Sequence, residues 1–251
     1  MSTELAGKVA IVTGASKGIG AGIARDFGKH GASVVVNYSS DKAGADRVVQ
    51  SIIDEGGKAV AVRANIGNPS DIETLFAEAD RAFGGRLDIL VNNAGAFVFT
   101  PLDQVTSDNY RALFDVNVLG TILCSQAAAA RFPEAGGAII NIGSVVASMG
   151  FPGSVVYSAT KGAIDSITRV LATELGPKGV RVNAIDPGLI ITEGAEAGGM
   201  TNNDWEKMWI DRSALGRSGR PTDIAPIARF LASPDSGWLT GETLFATGGV
   251  R

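Results

Sequence analysis

Tyr157 and Lys161 stand four residues apart in the run Tyr157-Ser158-Ala159-Thr160-Lys161. On a helix that spacing puts a phenol and an ammonium on one face, one turn apart. A tyrosine hydroxyl ordinarily ionises near pH ~10, and a neighbouring cation favours the phenolate, so the spacing predicts a lowered pKa. Such a pair can give and take a proton near neutrality. Ser144 lies upstream, just after the apolar run Ala138-Ile139-Ile140-Asn141-Ile142, which reads as a buried strand. A hydroxyl there is placed to polarise a carbonyl beside Tyr157. Taken alone, the Tyr-x-x-x-Lys spacing is unspecific: an aromatic ring packed under a lysine stem gives the same pattern.

These residues need elements to position them. Apolar, β-branched runs at 8–13, 33–37, 59–62, 88–92, 138–142, 181–185 and 243–246 alternate with segments of helical period. The helices are expected at 18–29, 42–55, about 70–83, about 107–131, 157–175 and 221–231. Strands without polar alternation are buried on both faces, so the pattern predicts a seven-stranded parallel sheet with helices on both sides. This is an α/β, doubly wound, Rossmann-type arrangement, expected as one domain over 1–251. The long irregular insertion at about 188–219 holds Trp205, Met208 and Trp209 and is expected to act as a lid.

The first strand-helix junction reads Thr13-Gly14-Ala15-Ser16-Lys17-Gly18-Ile19-Gly20. Glycines there let the backbone approach a pyrophosphate, and the helix N-terminus offers free N–H groups. The spacing is not that of a P-loop. A free ribose 2′-hydroxyl calls for an acid at the end of the next strand, but this one ends Val36-Asn37-Tyr38-Ser39-Ser40, with Asp41 following. Lys17 and the small hydroxyls suit a 2′-phosphate. NADP(H) is therefore expected over NAD(H), which Asp41 keeps as the alternative.

Together, Thr13 to Gly20, Asn92-Asn93-Ala94-Gly95, Asn117, Ser144, Tyr157-x-x-x-Lys161 and Pro187-Gly188-x-x-x-Thr192 resemble the short-chain dehydrogenase/reductase family over nearly the whole chain. Within it the chain is similar to NADPH-dependent carbonyl reductases and 3-oxoacyl-carrier-protein reductases, and to glucose-dehydrogenase-like members. The resemblance implies Tyr157 as the acid in reduction, Lys161 lowering its pKa and holding the nicotinamide ribose, Ser144 on the substrate oxygen, and Asn117 anchoring a water that relays protons to Lys161. It implies cofactor contacts at Gly14, Ser16, Lys17, Gly18, Ile19, Gly20, Asn37, Tyr38, Ser39, Ser40, Asn65, Ile66, Asn92, Ala94, Gly95, Pro187, Gly188, Ile190 and Thr192. Asn65 stands where the family usually has Asp. The expected substrate pocket is Val145, Val146, Met149, Phe151, Val155, Phe97, Trp205, Met208 and Trp209. That set favours a bulky or aromatic ketone; a sugar or alcohol dehydrogenase acting in oxidation and an acyl-carrier reductase are the alternatives. Family members commonly form tetramers through the two long helices, here 107–131 and 157–175, so a homotetramer is expected.

Composition bounds the rest. The chain has 251 residues, 45% hydrophobic and 19% charged, enough for a large core. A net charge of -4 argues against a nucleic-acid footprint. No apolar run is expected to span a membrane, and the polar N-terminus has no signal-peptide pattern. One cysteine, Cys124, excludes an internal disulfide and fits a cytoplasmic protein. It and the single His30 make a metal site of ordinary ligands improbable. His30, beside Gly31, is expected to meet the last carbonyls of a helix.

Overall fold

The computed structural model describes residues 4–250; the polar opening at 1–3 lies outside the described residues. Seven strands form one parallel sheet: β1 (Val9–Val12), β2 (Ser33–Tyr38), β3 (Lys58–Arg63), β4 (Ile89–Asn92), β5 (Gly137–Ile142), β6 (Val180–Pro187) and β7 (Thr243–Ala246), in the order β3-β2-β1-β4-β5-β6-β7. The chain works outward in one direction from β1 and then returns to its other side at β4. Ile11 registers beside Val35 on β2 and beside Leu90 on β4. The topological switch therefore lies between β1 and β4, where a crevice opens at the strands' carboxyl ends.

Alternation along the strands loads two separate cores. Ala10, Val12, Val34 and Val36 face one side with Ile23 and Phe27 of α1 (Gly18–Lys29), Val48 of α2 (Lys42–Asp54) and Leu231 of α9 (Pro221–Ala232). Val9, Ile11, Val35 and Val182 face the other with Phe76 of α3 (Pro69–Phe83), Cys124 of α5 (Gly120–Ala129) and Leu175 of α6 (Val155–Leu175). Both faces are covered, as the unalternating apolar strands require. The helix ends are specified locally. Asn68 caps α3 by accepting from the Ser70 N–H, with Pro69 in the first turn and Gly84 left-handed at φ 79° beyond its end. His30 meets the Asp26 carbonyl at 2.7 Å at the end of α1, as anticipated.

Three expectations need correction. The helix predicted over 107–131 is not uniform: α4 (Ser107–Phe114) passes through a π-helical turn at Asp115–Leu119 before α5. Just beyond that turn the chain passes close to the β3–α3 loop, since a Cβ at Gly120 would lie 2.7 Å from the Ile66 carbonyl oxygen. Taken whole, Ser107–Ala129 is long and apolar enough to cross a bilayer by length and composition, contrary to the sequence reading. In the fold it is a covering layer of the sheet and carries the buried Asn117, Thr121 and Ser125. The segment 188–219 is not irregular. It contains α7 (Glu193–Ala197), capped by Thr192, and α8 (Asp204–Arg212), capped by Asn203. Ile190 and Gly219 pair at its base.

Candidate active site

A cavity of about 530 Å³ runs along the carboxyl ends of β1 to β6. The Gly-rich turn forms one end. Gly14 has φ 61°, and a Cβ there would fall 2.7 Å from Ala94 Cα, so only glycine lets the β1 and β4 turns meet. Thr13 ties these turns together: its hydroxyl accepts from the Asn93 and Ala94 N–H groups and donates to the Val91 carbonyl. Asn93 donates to the carbonyls of Thr13 and Gly14. Sequence reasoning quoted Asn93 within its motif but gave it no role.

Most residues assigned to the cofactor line this cavity: Gly14, Ser16, Lys17, Gly18, Ile19, Asn37, Ser39, Ser40, Asn65, Ile66, Ala94, Gly95, Pro187, Gly188, Ile190 and Thr192. Three do not. Tyr38 points the other way along β2 into the core below. Gly20 serves packing, with Asn93 Nδ2 2.4 Å from where its Cβ would be. Asn92 is buried in the sheet and donates to Ser125 Oγ and Asn141 Oδ1. Asn37 reaches the cavity but is already committed: Oδ1 accepts from the Gly14 N–H at 3.0 Å, and Nδ2 donates to the carbonyls of Val62 and Ala64. It is a clamp on the Gly-rich turn. Asp41, the nearest acid, is turned onto the N-terminus of α2, where it accepts from the Gly44 N–H. Arg63 donates to the Ser39 carbonyl at this end, a basic group that nothing local in the sequence tied to the site. The Gly18 N–H donates to the Glu193 carboxylate at 3.0 Å, so the start of α7 reaches over the Gly-rich turn.

At the other end α6 presents Tyr157 and Lys161 to the cavity beside Ser144. Lys161 is 6% exposed, and its Nζ donates to the Ile142 carbonyl at 2.8 Å and lies 5.7 Å from the Tyr157 ring centroid. Burial draws the ammonium down to about 8, against the attraction of Asp186 and Asp165. Burial likewise pushes the Tyr157 phenol up to about 12, opposed by the Ser144 hydroxyl and reinforced by Asp186. This corrects the sequence expectation of a lowered tyrosine pKa: proximity to a cation holds, but desolvation outweighs it. Asn117 does not line the cavity. Within the π-helical turn it accepts from the Ala96 N–H at 2.8 Å and donates to the Ala96 carbonyl and to Thr160 Oγ1, bracing the β4 loop against α6 one residue from Lys161. π-Helical turns recur at functional sites.

Above Tyr157 the rings form a continuous wall. Phe97 and Phe99 meet Tyr157 edge-on at 6.4 and 6.2 Å. Phe99 meets Phe151, which contacts Trp205 and Trp209 of α8. Val145, Val146, Phe151, Trp205, Trp209 and Phe97 line the cavity as expected. Met149 and Met208 instead pack behind this cluster, and Val155 is half exposed at the start of α6. Phe99, Leu189 and Met200 also line it and were missed; they lie in segments without periodicity. Trp209 Nε1 is buried without a hydrogen-bond partner among the described residues.

A crevice at the switch point with a Gly-rich turn at one end and a Tyr-Lys-Ser cluster at the other agrees with the comparisons. A family model described as enoyl-(acyl carrier protein) reductase matches residues 14–251. The chain belongs to the short-chain dehydrogenase/reductase family. An uncharacterized oxidoreductase of Methylorubrum extorquens is 51% identical over 249 residues, covering 99% of this chain and all of that one. A hydroxynaphthalene reductase-like protein of Metarhizium guizhouense is 41% identical over 257 residues, covering 98% and 96%. The crystal structure of an angucycline C-6 ketoreductase with bound NADP superposes with a TM-score of 0.93 at 34% identity, covering 99% and 97%. The protein is an oxidoreductase of this family.

Proposed function

We propose that the protein is an NADP(H)-dependent carbonyl reductase acting on bulky aromatic ketones. The observation that carries the substrate class is the run of rings from Tyr157 through Phe99 and Phe151 to Trp205 and Trp209. Apolar, ring-lined space next to the proton donor favours a flat aromatic substrate over a polyol. The relatives point the same way: a naphthalene-type and an angucycline-type reductase are among its kin.

The cavity fits a dinucleotide. Gly14 and Gly18, both at positive φ, line the cavity and present bare backbone to it. Gly14, Ser16 and Gly18 would hold the pyrophosphate, and Lys17, Ser39, Ser40 and Arg63 a 2′-phosphate, with Asp41 lining the same end and its Oδ1 taken up by the Gly44 N–H. Bound there, the cofactor supplies the hydride. The chain's own residues manage the proton. Tyr157, protonated at neutral pH, donates its hydroxyl proton to the carbonyl oxygen as it becomes an alkoxide. Ser144 donates a hydrogen bond to the same oxygen. Lys161, charged near neutrality, stabilises the phenolate left behind. Asn117 holds Ala96 and Thr160 so that the cavity wall and α6 keep their spacing. The exposed apolar residues Leu119, Ile122 and Val170 on the two long helices support assembly as a homotetramer, which a solution mass measures.

The test is NADPH oxidation with aromatic ketones, diketones and β-keto esters, with Tyr157→Phe alongside. Turnover by the native chain should fall about 10²-fold or more in Tyr157→Phe, the size of a lost general acid. Faster NADP-linked oxidation of polyols than reduction of any ketone would overturn the reading.

A further inference from the structure

We propose that Asp186 is the charge partner and positioning residue of Lys161, a buried carboxyl that, together with Asp165, sets when Lys161 carries its charge. The proposal rests on the reading of Tyr157 and Lys161 as the proton-transfer pair. Neither the motifs nor the lining of the cavity includes Asp186; it lies one layer behind them.

The register places it. Val182 on β6 faces the core under α5 and α6, and Asp186, four residues along the strand, shares that face. On α6, Lys161 and Asp165 are one turn apart on one face. The Thr243 hydroxyl donates to Asp165 Oδ1 at 3.3 Å, and Thr243 registers opposite Ala184, two residues before Asp186. Lys161 donates to the Ile142 carbonyl, and Ile142 registers opposite Ile185, one residue before Asp186. Asp165 and Lys161 thus bracket the end of β6 from above. From the side, the Gly143 backbone lies against the carboxyl: a Cβ there would fall 1.9 Å from Asp186 Oδ1.

The surroundings give this carboxyl no other occupation. Asp186 is 0% exposed, and neither carboxylate oxygen has a hydrogen-bond partner among the described residues. The Ser144 N–H lies near enough to favour the charged form without reaching hydrogen-bond geometry. An isolated buried carboxylate is strongly disfavoured unless paired. The groups facing it are the Lys161 ammonium, the Asp165 carboxyl and the Tyr157 phenol, all on α6, with Arg169 acting on Asp165 from one turn further on. Asp165 is half-buried and has Arg169 to offset its charge, whereas Asp186 is fully buried and faces only Lys161 as a cation. Burial with repulsion by Asp165 therefore holds the proton on Asp186, whose pKa rises to about 7. When Asp186 ionises, Lys161 gains a counter-charge against its desolvation, and Tyr157 becomes harder to deprotonate.

The test follows Lys161 directly in the full chain without cofactor. Lysine labelled at 13Cε is titrated by NMR, with the Lys161 signal assigned through Lys161→Arg. The wild type should show an inflection near neutrality from Asp186, then the lysine's own ionisation. In Asp186→Asn the first step should vanish and the second should move down by about one pH unit. In Asp165→Asn the first step should persist at lower pH, because the repelling carboxylate is gone; this variant carries the test if Asp186→Asn does not fold. Titrations of Lys161 that superpose in wild type and variants would overturn the proposal. A parallel pH profile of ketone reduction separates the two readings. No turnover with a shifted lysine titration defeats the substrate assignment and upholds the pair. Turnover with an unchanged titration and an unchanged alkaline limb in the variants defeats the pair.

Discussion

Asp186→Asn has a consequence for stability that needs no substrate. The carboxyl ionises near 3.8 when free and at about 7 in the fold, because burial and Asp165 oppose its charge more than Lys161 supports it. A carboxyl whose folded pKa is raised contributes stability that is fully present below its unfolded pKa and is lost as pH rises through its folded pKa. The window therefore runs from about pH 4 to about pH 7. The interval spans about three pH units at about 1.4 kcal/mol each, which caps the loss near 4 kcal/mol. Asparagine is close to isosteric and cannot ionise, so its curve lacks this component. Urea midpoints followed by tryptophan fluorescence at half-unit steps from pH 4 to 8 give the difference between wild type and variant, in which titrating groups not coupled to Asp186 cancel and Lys161 enters only near the alkaline end. The wild type should lose stability relative to Asp186→Asn as pH rises, with the difference growing to about 2–4 kcal/mol by pH 7.5. Curves that stay parallel, or a wild type that gains on the variant over this range, would refute the argument that burial dominates at this site.

Two further outcomes follow from contacts at the cavity. The Glu193 carboxylate accepts from the Gly18 N–H, where an incoming pyrophosphate would compete and be repelled, so Glu193→Gln should tighten NADPH binding about two- to fivefold at low salt, measured by calorimetry; Glu193 is exposed, which keeps the gain modest. Asn117→Ala removes the partner of the half-buried Ala96 N–H and carbonyl, while the Thr160 hydroxyl keeps its bond to the Tyr157 carbonyl, so it should cost about 2 kcal/mol in chemical denaturation and lower kcat with little change in NADPH affinity.

What was legible in the sequence was what is local. Tyr157 and Lys161 are one turn apart on any helix, and the Gly-rich turn declares itself by φ angles that only glycine adopts cheaply. The strands were readable because a sheet covered on both faces leaves no polar alternation. Residues whose role depends on register were not readable. Asn37, expected as a cofactor contact, does line the cavity, but what the sequence does not show is that its amide clamps Gly14 to Val62 and Ala64, three segments that only the fold brings together. Asp186 ends an apolar strand and looks like an ordinary solvated terminus until β5, β7 and α6 close around it.

The same distinction decides the chemistry of the pair. Spacing fixes that an ammonium lies near the phenol, but the sign of the resulting pKa change is a contest between attraction and desolvation, and burial is invisible in a five-residue motif. Here Lys161 is buried and Tyr157 half-buried in the cavity wall, and loss of solvent drives each toward neutrality: the phenol up to about 12 and the ammonium down to about 8. That arrangement suits reduction. A tyrosine held as the neutral phenol has its proton to give when the carbonyl oxygen gains charge. A lysine whose charge is only just retained at neutral pH responds strongly to whatever lies behind it. The group behind it is Asp186, so the motif at the surface of the cavity draws its working pH from a carboxyl on the adjoining strand.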